Sequence, residues 1–581
     1  MQHSYIKLLV INALLVASPL AFAQSSPLDS APGAATAPAV TPNAAPATPS
    51  PAASSPAAAP APDADSGPSL LSNPDFSQAT KNPDWPDDWG KGAGISYETE
   101  NGTHYLRLVQ QTPGKMLMAY REMSIPSGTT GIKITIRYRT AGIVHGKQNY
   151  MNARGIFHFL DGARKQVTPE PRVIEFSNNA SDWTVGSVSA VVPPGAENLQ
   201  LMPALFMANA GTLDLAEVKV TALGDADTDA LKTATAALEK KKADMQAYLA
   251  AQLALPPISK PLHVSGNQIL DPDGKSVWLQ GVNVPELAWS PNGEDKVVWS
   301  VHLAIDDWHA NVIRLPVMDS LWFGKGRGEM TSNDADAYRK IVDDAVKFAS
   351  VRGAYIVLDL HRFLTPDQSC VDFWKDAAAR YANNPAVLFD VFNEPHDTSW
   401  EVWRNGGPVT TRNKSETLQV AGVGMQALVN AVRGTGAKNI IVAGGLEYAY
   451  NLTGIVNGFA LDDKGGNGIV YATHFYNWHR GWAAHFMAVA AKYPVLVGET
   501  GADVKKMNFI PLDQQESPST WVPDAIGFIQ KNHLNWTAWS FAKGATPDLL
   551  MDTTDFAPNP FWGEPVKEAL SGKQFDMQRE R

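Results

Sequence analysis

Short apolar runs alternate with longer amphipathic segments over residues 258–575, and this alternation constrains the fold more than any other feature of the sequence. The apolar runs have the length and the β-branched and aromatic content of buried strands, and the segments between them have a helical period. Eight strands are predicted, at residues 277–284, 312–317, 354–361, 387–393, 439–444, 469–475, 495–499 and 535–541. The clearest helical patterns lie between these strands, at residues 334–351, 371–381, 416–433 and 521–532. Such a series predicts an α/β chain folded as a (β/α)8 TIM barrel, in which each parallel strand is followed by a helix.

An open, doubly wound sheet is the alternative fold for this pattern. In such a sheet, ligand-binding residues follow the few strands beside one crevice. Here, polar residues with catalytic or binding chemistry follow strands throughout the series, from the second to the eighth. That distribution favours the barrel, because the carboxyl ends of all eight barrel strands meet on one face.

Two of the predicted strands end in glutamate. The fourth ends in Asn393-Glu394-Pro395, and Pro395 is expected to stop the strand because it cannot donate to a sheet ladder. The seventh strand ends in Glu499 after an apolar run of the same kind. Two carboxyl groups on one face of a barrel match what the hydrolysis of a glycosidic bond requires.

Further polar and aromatic residues lie at or near the ends of the other predicted strands. They are Arg314 at the end of the second strand, His361 of the third, Asn393 of the fourth, His474 and Tyr476 of the sixth, and Trp539 within the eighth. Taken singly, a histidine or glutamate after a strand is more often a structural or solvated residue. Arg314 is different, since it stands between Ile313 and Leu315 and a buried guanidinium requires a charged partner.

Together these eight residues, in this order and on these strands, resemble the shared residues of glycoside hydrolase family five, the cellulase-like retaining β-glycanases. The resemblance covers residues 258–572. It implies that Glu394 is the general acid/base and Glu499 the nucleophile. It implies that six residues bind substrate: Arg314, His361, Asn393, His474, Tyr476 and Trp539. The function it implies is endo-acting hydrolysis of β-1,4-glucan with retention of configuration, without a metal ion or cofactor.

Other functions use the same residues. β-Mannan is an alternative substrate, because the eight residues do not discriminate between glucan and mannan. A transglycosylase that remodels a polysaccharide would also need both carboxyl groups, and only its products would differ. A non-catalytic polysaccharide-binding protein on a barrel scaffold would be expected to lack one of the two carboxyl groups, and both are present.

The N-terminal 68 residues have the composition of an export signal and a linker. Lys7 precedes an apolar stretch at residues 8–16, and Ala21-Phe22-Ala23 fits a signal-peptidase site, so residues 1–23 are predicted to be a secretory signal. No cysteine follows that site, which argues against a lipoprotein. Residues 24–68 are rich in Pro and Ala without Lys or Arg and are predicted to be a disordered linker. We expect the mature chain to be secreted or periplasmic, without membrane insertion after signal cleavage.

Residues 69–224 have a different texture, with short period-two segments separated by turn residues, and predict an all-β sandwich. The two ends of this region resemble those of carbohydrate-binding β-sandwich modules. A glycan-binding module and a purely structural sandwich therefore both remain open. The candidate stacking residues are Trp85, Trp89, Tyr120 and Trp183. Residues 225–257 follow as a predicted helical connector that ends at two prolines.

The composition excludes several classes of partner and site. The net charge of −11 argues against nucleic acid or an anionic membrane as a partner. Cys370 is the only cysteine, which excludes an intramolecular disulfide and a zinc site built from several cysteines. Of the 17 tryptophans, 14 lie from Trp278 onward, which mildly favours sugar rings as ligands. We expect a monomer that binds a polysaccharide.

Overall fold

The computed structural model describes residues 67–146, 151–326, 332–413, 416–507, 510–553 and 555–581. The predicted signal peptide lies outside these ranges, as does the predicted linker up to residue 66. The described chain divides between Leu238 and Glu239 into two compact units. Within the described ranges, none of the helices combines the length and the apolar character needed to cross a membrane.

Two antiparallel sheets form the N-terminal unit, which confirms the predicted all-β region. Its strands are β1 Ile95–Glu100, β2 Thr103–Val109, β3 Leu117–Met118, β4 Arg121–Ser124, β5 Gly131–Val144, β6 Ala153–Leu160, β7 Gln166–Val167, β8 Ile174–Glu175, β9 Thr184–Val191, β10 Asn198–Leu205 and β11 Ala210–Ala222. One sheet has the order β1-β2-β11-β5-β9. The other has the order β3-β10-β6-β7, with β4 also paired to β10 and β8 to β6.

Alternating side chains from both sheets form one buried apolar core. Along β5, for example, Ile134 and Ile136 are buried while Thr135 between them is partly exposed, as the period of two requires. Trp85 and Trp89 belong to this core, and their indole N–H groups donate to backbone carbonyl oxygens. These two tryptophans are therefore packing residues. Tyr120 and Trp183 are half-buried.

The connector folds as one long helix, α1 Asp225–Leu253. Leu249 and Leu253 near its end pack against the core of the C-terminal unit. Thr228 is the only fully buried residue of the helix, so most of its length is solvated. Leu238, near the middle of the helix, is exposed.

Parallel strands dominate the C-terminal unit. The strands are β12 His263–Ser265, β13 Gln268–Leu270, β14 Gln280–Asn283, β15 Val312–Val317, β16 Tyr355–Leu360, β17 Phe363–Leu364, β18 Val387–Asp390, β19 Glu394–Pro395, β20 Gly407–Asn413, β21 Glu416–Gly422, β22 Ile441–Gly444, β23 Ile469–Tyr476, β24 Val495–Gly501 and β25 Asn535–Ala538. The closed barrel has the order β14-β15-β16-β18-β22-β23-β24-β25. Each of the eight predicted strands overlaps one strand of this barrel, which confirms the predicted fold.

Helices connect the barrel strands. They are α2 Val297–Asp306, α3 Asp319–Trp322, α4 Ala335–Arg352, α5 Gln368–Tyr381, α6 Trp400–Asn405, α7 Met425–Gly434, α8 Ala488–Ala490, α9 Pro518–Lys531 and α10 Gly563–Leu570. Short 3-10 turns lie at Glu286–Ala288 and Gly293–Asp295, and π-helical turns lie at Ile455–Phe459 and Ala483–Met487. Cys370 is buried in α5, and burial raises the pKa of its thiol to about 12, so it is an unreactive core residue.

The predicted helix at residues 416–433 is wrong over its first part. Residues Glu416–Gly422 form β21, which pairs antiparallel with β20 as a hairpin, and the helix begins only at Met425. Leu418 and Val420 alternate with polar residues, which is a strand pattern. Gly424 adopts a positive φ of 78° just before the helix, and this conformation interrupts a continuous helix.

The interior of the barrel is apolar at one end and polar at the other. Its apolar layer consists of Leu262, Ile269, Leu279, Val312, Tyr355, Val357, Leu388, Ile440, Val442, Val470, Ala472 and Leu496. Side chains two positions apart on a strand point to the same face. Arg314, Asp359 and Asp390 therefore follow Val312, Val357 and Leu388 into the interior, one layer nearer the carboxyl ends of the strands.

Candidate active site

All eight residues predicted from the sequence lie at the carboxyl end of the barrel. Six are joined by direct contacts or close pairs, and Asp359 links His361 and Trp539 to them. Three details differ from the prediction. Arg314 is the third of six residues of β15 rather than the end of its strand. The fourth barrel strand ends at Asp390, three residues before Asn393. Trp539 follows β25 instead of lying within it.

Arg314 is the centre of the cluster and is fully buried. Its Nε donates to Asp390 Oδ2 at 3.0 Å, and its Nη1 donates to Glu499 Oε1 at 2.7 Å. Its Nη2 donates to Asn393 Oδ1 at 2.7 Å and lies 3.0 Å from Asp359 Oδ2. Burial opposes the charge, but the three carboxylates outweigh burial and raise the pKa of the guanidinium. Arg314 is therefore a permanent cation with a fixed orientation.

Two asparagines are oriented by this guanidinium. Asn283, at the end of β14, accepts from Arg314 Nη1 at 3.1 Å, while its amide group donates to backbone oxygens of Gly498, Thr537 and Ala538. Asn393 accepts from Arg314 through Oδ1, so its Nδ2 faces away from the guanidinium. Among the described residues, this buried Nδ2 has no hydrogen-bond partner. It is available to a ligand.

Glu499 lies within β24 and is 4% exposed. One carboxyl oxygen accepts from Arg314, and the other accepts from the Tyr476 hydroxyl at 2.7 Å. These two bonds fix the orientation of the carboxyl group. Burial and the neighbouring carboxylates raise the pKa of Tyr476 well above its ordinary value, so Tyr476 remains a donor at neutral pH.

Glu394 lies in the short strand β19, which pairs with β17 at Phe363. Its Oε1 lies 2.9 Å from His474 Nδ1. Burial and then the charge of Glu499 raise the pKa of Glu394 well above its ordinary value. Burial and the charge of Arg314 lower the pKa of His474 well below its ordinary value. The two shifts thus favour a protonated carboxyl group on Glu394 and a neutral imidazole on His474.

His361 and Trp539 form a separate side of the site. Their rings stack at a centroid distance of 5.7 Å with an interplanar angle of 7°. Asp359 Oδ2 lies 2.7 Å from His361 Nδ1 and so orients the imidazole. Trp539 is half-buried, and its backbone carbonyl accepts from the indole of Trp562 at 2.7 Å. A second parallel pair, Tyr476 and Trp478, has a centroid distance of 4.8 Å.

Sequence reasoning missed three members of the cluster: Asn283, Asp359 and Asp390. Each interrupts an apolar strand, and each is less than 2% exposed. The requirement that a buried Arg314 have charged partners already pointed to carboxyl groups on neighbouring strands. Asp359 and Asp390 are those partners. They are found by asking which acids share the inward face with Arg314.

One atom from each of Glu394, His474 and Glu499 could also approach a metal ion, because these three atoms lie within 4.8 Å of one another. Their hydrogen bonds argue for another use. His474 Nδ1 is bonded to Glu394, and the Glu499 oxygens accept from Arg314 and Tyr476. A cation would have to displace these bonds beside a buried guanidinium charge. The donor set fits an acid–carboxylate pair better than a metal centre.

The barrel region is similar in sequence to several known proteins. Residues 270–544 match the family model for Cellulase (glycosyl hydrolase family 5). A cellulase of Thermoanaerobacterium sp is 24% identical over 318 residues, which cover 52% of this chain and 75% of that protein. An endoglucanase of Paenibacillus polymyxa is 27% identical over 365 residues, which cover 53% of this chain and 85% of that protein. The crystal structure of a β-glucanase from Saccharophagus degradans aligns with a TM-score of 0.45 and 22% identity, over 54% of this chain and 94% of that one.

Proposed function

Because the barrel domain belongs to glycosyl hydrolase family 5 and is a glycoside hydrolase, we propose that it cleaves β-1,4-glucan at internal bonds and retains configuration at the anomeric carbon. The names of its relatives, cellulase and endoglucanase, support this substrate class and mode of action. The observation that carries the mechanism is the pair Glu394 and Glu499, whose carboxyl oxygens approach within 4.8 Å in unlike environments.

The separation of the two carboxyl groups supports retention rather than inversion. Retaining enzymes have carboxyl groups about 5–5.5 Å apart, whereas inverting enzymes need about 6.5–9.5 Å to admit a water molecule between carboxylate and sugar. Oxygens of Glu394 and Glu499 lie within 4.8 Å of each other, which is close to the retaining separation and well below the inverting one. This supports direct attack of one carboxylate on the anomeric carbon.

Glu394 is the general acid/base in this proposal. Its raised pKa keeps a proton on the carboxyl group at neutral pH, and the neutral His474 beside it does not compete for that proton. In the first step, the Glu394 hydroxyl gives this proton to the glycosidic oxygen as the bond to the anomeric carbon breaks. The resulting Glu394 carboxylate then takes a proton from the incoming water in the second step.

Glu499 is the nucleophile. Arg314 and Tyr476 donate to its two oxygens, so the carboxyl group is oriented before substrate binds. It attacks the anomeric carbon as the leaving sugar departs and forms a glycosyl ester. Water then attacks the same carbon, the ester bond breaks, and Glu499 leaves as a carboxylate.

The remaining predicted residues bind the reacting sugar. Asn393 offers its unpartnered Nδ2 to the 2-hydroxyl group, a bond that strengthens in the transition state. The stacked pair of His361 and Trp539 provides a flat apolar surface beside the site. Sugar rings have apolar faces that pack on such surfaces.

The test is azide rescue of two carboxyl-deleted variants with an aryl β-cellobioside as substrate. Glu394→Ala lacks the acid/base, so the glycosyl ester should form and then hydrolyse only slowly. Azide should attack this ester and release the sugar as the β-glycosyl azide. Glu499→Ala cannot form the ester, so azide should attack directly and give the α-glycosyl azide. Glu401→Ala, which removes an exposed glutamate in α6, is the matched control and should retain full activity. Exchange of the two azide anomers, or full activity in either site variant, contradicts the assigned roles.

A substrate panel separates glucan from mannan. Carboxymethylcellulose, mixed-linkage glucan, galactomannan and β-1,3-glucan are incubated with the wild-type chain, with Glu499→Gln as the inactive control. We expect reducing ends from the first two and a rapid fall in viscosity, because internal cleavage shortens chains early. Release from galactomannan alone would replace the proposed substrate with β-mannan. Longer oligosaccharides as the only products would indicate transglycosylation.

We also propose that the chain is exported and cleaved after Ala23. The supporting feature is the sequence of residues 1–23, with its apolar stretch and its A-x-A ending. Expression of the full-length chain in a Gram-negative host, followed by N-terminal sequencing of the periplasmic or secreted protein, should give Gln24 as the first residue. An uncleaved cytoplasmic product would contradict export.

A further inference from the structure

The five-stranded sheet of the N-terminal unit carries an ionic cluster on its outer face. Asp214 on β11 is 2% exposed and accepts two hydrogen bonds from Arg107 on β2, both at 2.8 Å. It also accepts from Arg139 Nε on β5 at 2.7 Å. Arg139 Nη1 in turn pairs with Glu100 at 2.7 Å. Three adjacent strands are thus linked by one buried carboxylate.

The same two guanidinium groups also make cation–π contacts with aromatic rings. Arg139 lies 4.6 Å from the ring centroid of Trp183 and 5.1 Å from that of Tyr105. Arg107 lies 5.3 Å from the Tyr105 ring. Tyr105 and Trp183 meet edge to face at 5.6 Å. These contacts restrict the conformations of the two arginine side chains before a ligand binds. Binding would therefore cost less side-chain conformational entropy.

A cavity of about 480 Å³ opens directly on this cluster. Its lining combines the cluster with small residues: Arg107, Arg139, Asp214, Ala141, Ser181 and Thr212. Its volume is within the range of roughly 300–1,000 Å³ typical of small-molecule sites. Arg107 is 36% exposed at its edge and retains N–H groups beyond those that bond Asp214. A purely structural ion pair does not require such a space beside it.

We propose that this cavity binds a neutral polysaccharide, at a site on the sandwich separate from the barrel. Charge argues against an anionic ligand, because Asp214 and Glu100 already compensate Arg107 and Arg139. The cavity then offers a ligand guanidinium N–H groups as hydrogen-bond donors, and a carboxylate and hydroxyl groups as acceptors. Sugar hydroxyl groups both donate and accept, so a polysaccharide can bond to the donors and to the acceptors. The proposal does not depend on which glycan the barrel cleaves.

Affinity electrophoresis of the full-length chain tests the site. All proteins carry Glu499→Gln so that the matrix is not degraded, and the gels contain hydroxyethylcellulose, mixed-linkage glucan, xylan or galactomannan. Ala141→Tyr fills the cavity without removing a charge, and Arg107→Ala removes the exposed donor. Ser189→Tyr adds the same side chain at an exposed position of the same sheet, on β9, and is the matched control.

For at least one neutral polysaccharide, Ala141→Tyr and Arg107→Ala should raise the Kd about fivefold or more, as the loss of one or two hydrogen bonds predicts. Ser189→Tyr should stay within about twofold of the parent, which matches normal mutational scatter at exposed sites. Thermal unfolding checks that all variants are folded. Unchanged retention of Ala141→Tyr in every gel overturns the proposal. Loss of retention only in a polygalacturonate gel overturns the choice of a neutral ligand. Because the background is inactive, a failure of the proposed hydrolysis leaves these outcomes unaffected.

Discussion

Around Arg314 in the barrel, one guanidinium faces the carboxyl groups of Asp359, Asp390 and Glu499, whereas around Asp214 in the sandwich, one carboxyl group faces Arg107 and Arg139. Both clusters join neighbouring strands, and both have a nearly unexposed centre. They differ in which charge is in excess.

The excess of carboxyl groups in the barrel has a chemical consequence. Burial raises the pKa of Asp359 to about 7, and it raises the pKa of Asp390 and Glu394 well above the ordinary range despite the charge of Arg314. These shifts favour protonated carboxyl groups in the site, and an acid catalyst needs such a group. In the sandwich, two guanidinium groups surround one carboxylate and hold it in place, which suits a rigid binding surface.

Replacing Arg314, the guanidinium at the centre of the barrel cluster, should have the largest effect on stability. Arg314→Met keeps most of the volume but leaves buried carboxyl groups without a counter-ion, and we expect a loss of about 3–5 kcal/mol in the free energy of unfolding. The pKa values of Asp359 and Asp390 would rise further in the folded state. Because a raised folded pKa favours folding at low pH, the loss should deepen as pH rises from 5 to 8.

Urea unfolding at both pH values measures this effect. Arg380→Met is the control, because Arg380 pairs with Asp343 at the surface and should contribute only about 0–1 kcal/mol at either pH. An equal loss at pH 5 and pH 8 for Arg314→Met would contradict the picture of proton-holding carboxyl groups.

A buried carboxyl group that pairs with no guanidinium group among the described residues extends the comparison. Glu286 is 2% exposed, and burial raises its pKa to about 8. Relative to about 4.3 in the unfolded chain, this means that the folded state loses stability as pH rises from 4 toward 8, by about 3 kcal/mol at pH 7. Glu286→Gln cannot ionise, so it should raise the free energy of unfolding by about that amount at pH 7 and by little at pH 4.

Thermal melts of Glu286→Gln across this pH range provide the measurement. Glu564→Gln, at the start of α10, is the control and should leave the curve unchanged. A gain that is the same at pH 4 and pH 7 would show that packing, not ionisation, distinguishes the two side chains.

Replacing the central residue of the sandwich cluster should lower the free energy of unfolding by less than Arg314→Met does. Asp214→Asn leaves Arg107 and Arg139 without their shared anion, but both guanidinium groups reach solvent and can be hydrated. We expect a loss of about 2 kcal/mol in the unfolding of the N-terminal unit. Asp229→Asn, which breaks an exposed pair with Lys232 in α1, should change it by less than about 0.5 kcal/mol. A loss as large as that of Arg314→Met would remove the contrast between the two clusters.

The barrel could be predicted almost completely because the signals were local. Each strand is an apolar run with a clear end, and most of the predicted functional residues lie at or near such an end, where the sequence changes character. The hairpin at β20 and β21 was missed because residues 416–422 and the helix that follows them both contain regularly spaced apolar residues. Gly424 was the local signal that separates them.

The functional pairings could not be read from position alone. Asp359 and Asp390 lie within strands, and only the parallel register places them beside Arg314 on the inward face. Among the stacking candidates of the sandwich, residues that look functional in the sequence are core residues in the structure. Trp85 and Trp89 looked like Trp183 in the sequence, but burial in the sheet core excludes them. Long-range register, not residue type, decides such cases.

The smallest predicted effect concerns Asp359, a positioning residue that acts through His361 and Glu394. Burial and the charge of Glu499 are the main reasons that the pKa of Glu394 is raised, and the charge of Asp359 adds to them. Asp359→Asn should therefore lower the pKa of Glu394 and shift the alkaline limb of kcat/KM to lower pH. It should also lower kcat/KM about tenfold at the optimum, because the charge-assisted bond to His361 Nδ1 becomes a neutral one.

The full pH profile of kcat/KM on a soluble oligosaccharide distinguishes this role from a merely structural one. A general loosening of the barrel would reduce the rate at every pH and leave the alkaline limb in place. An electrostatic role moves the limb, because the acid form of Glu394 is then lost at lower pH. Asp336→Asn, which removes an exposed carboxylate in α4, should leave both the rate and the limb unchanged. A lower rate with an unmoved limb would mean that Asp359 supports His361 alone and that the proton on Glu394 is held by burial and Glu499.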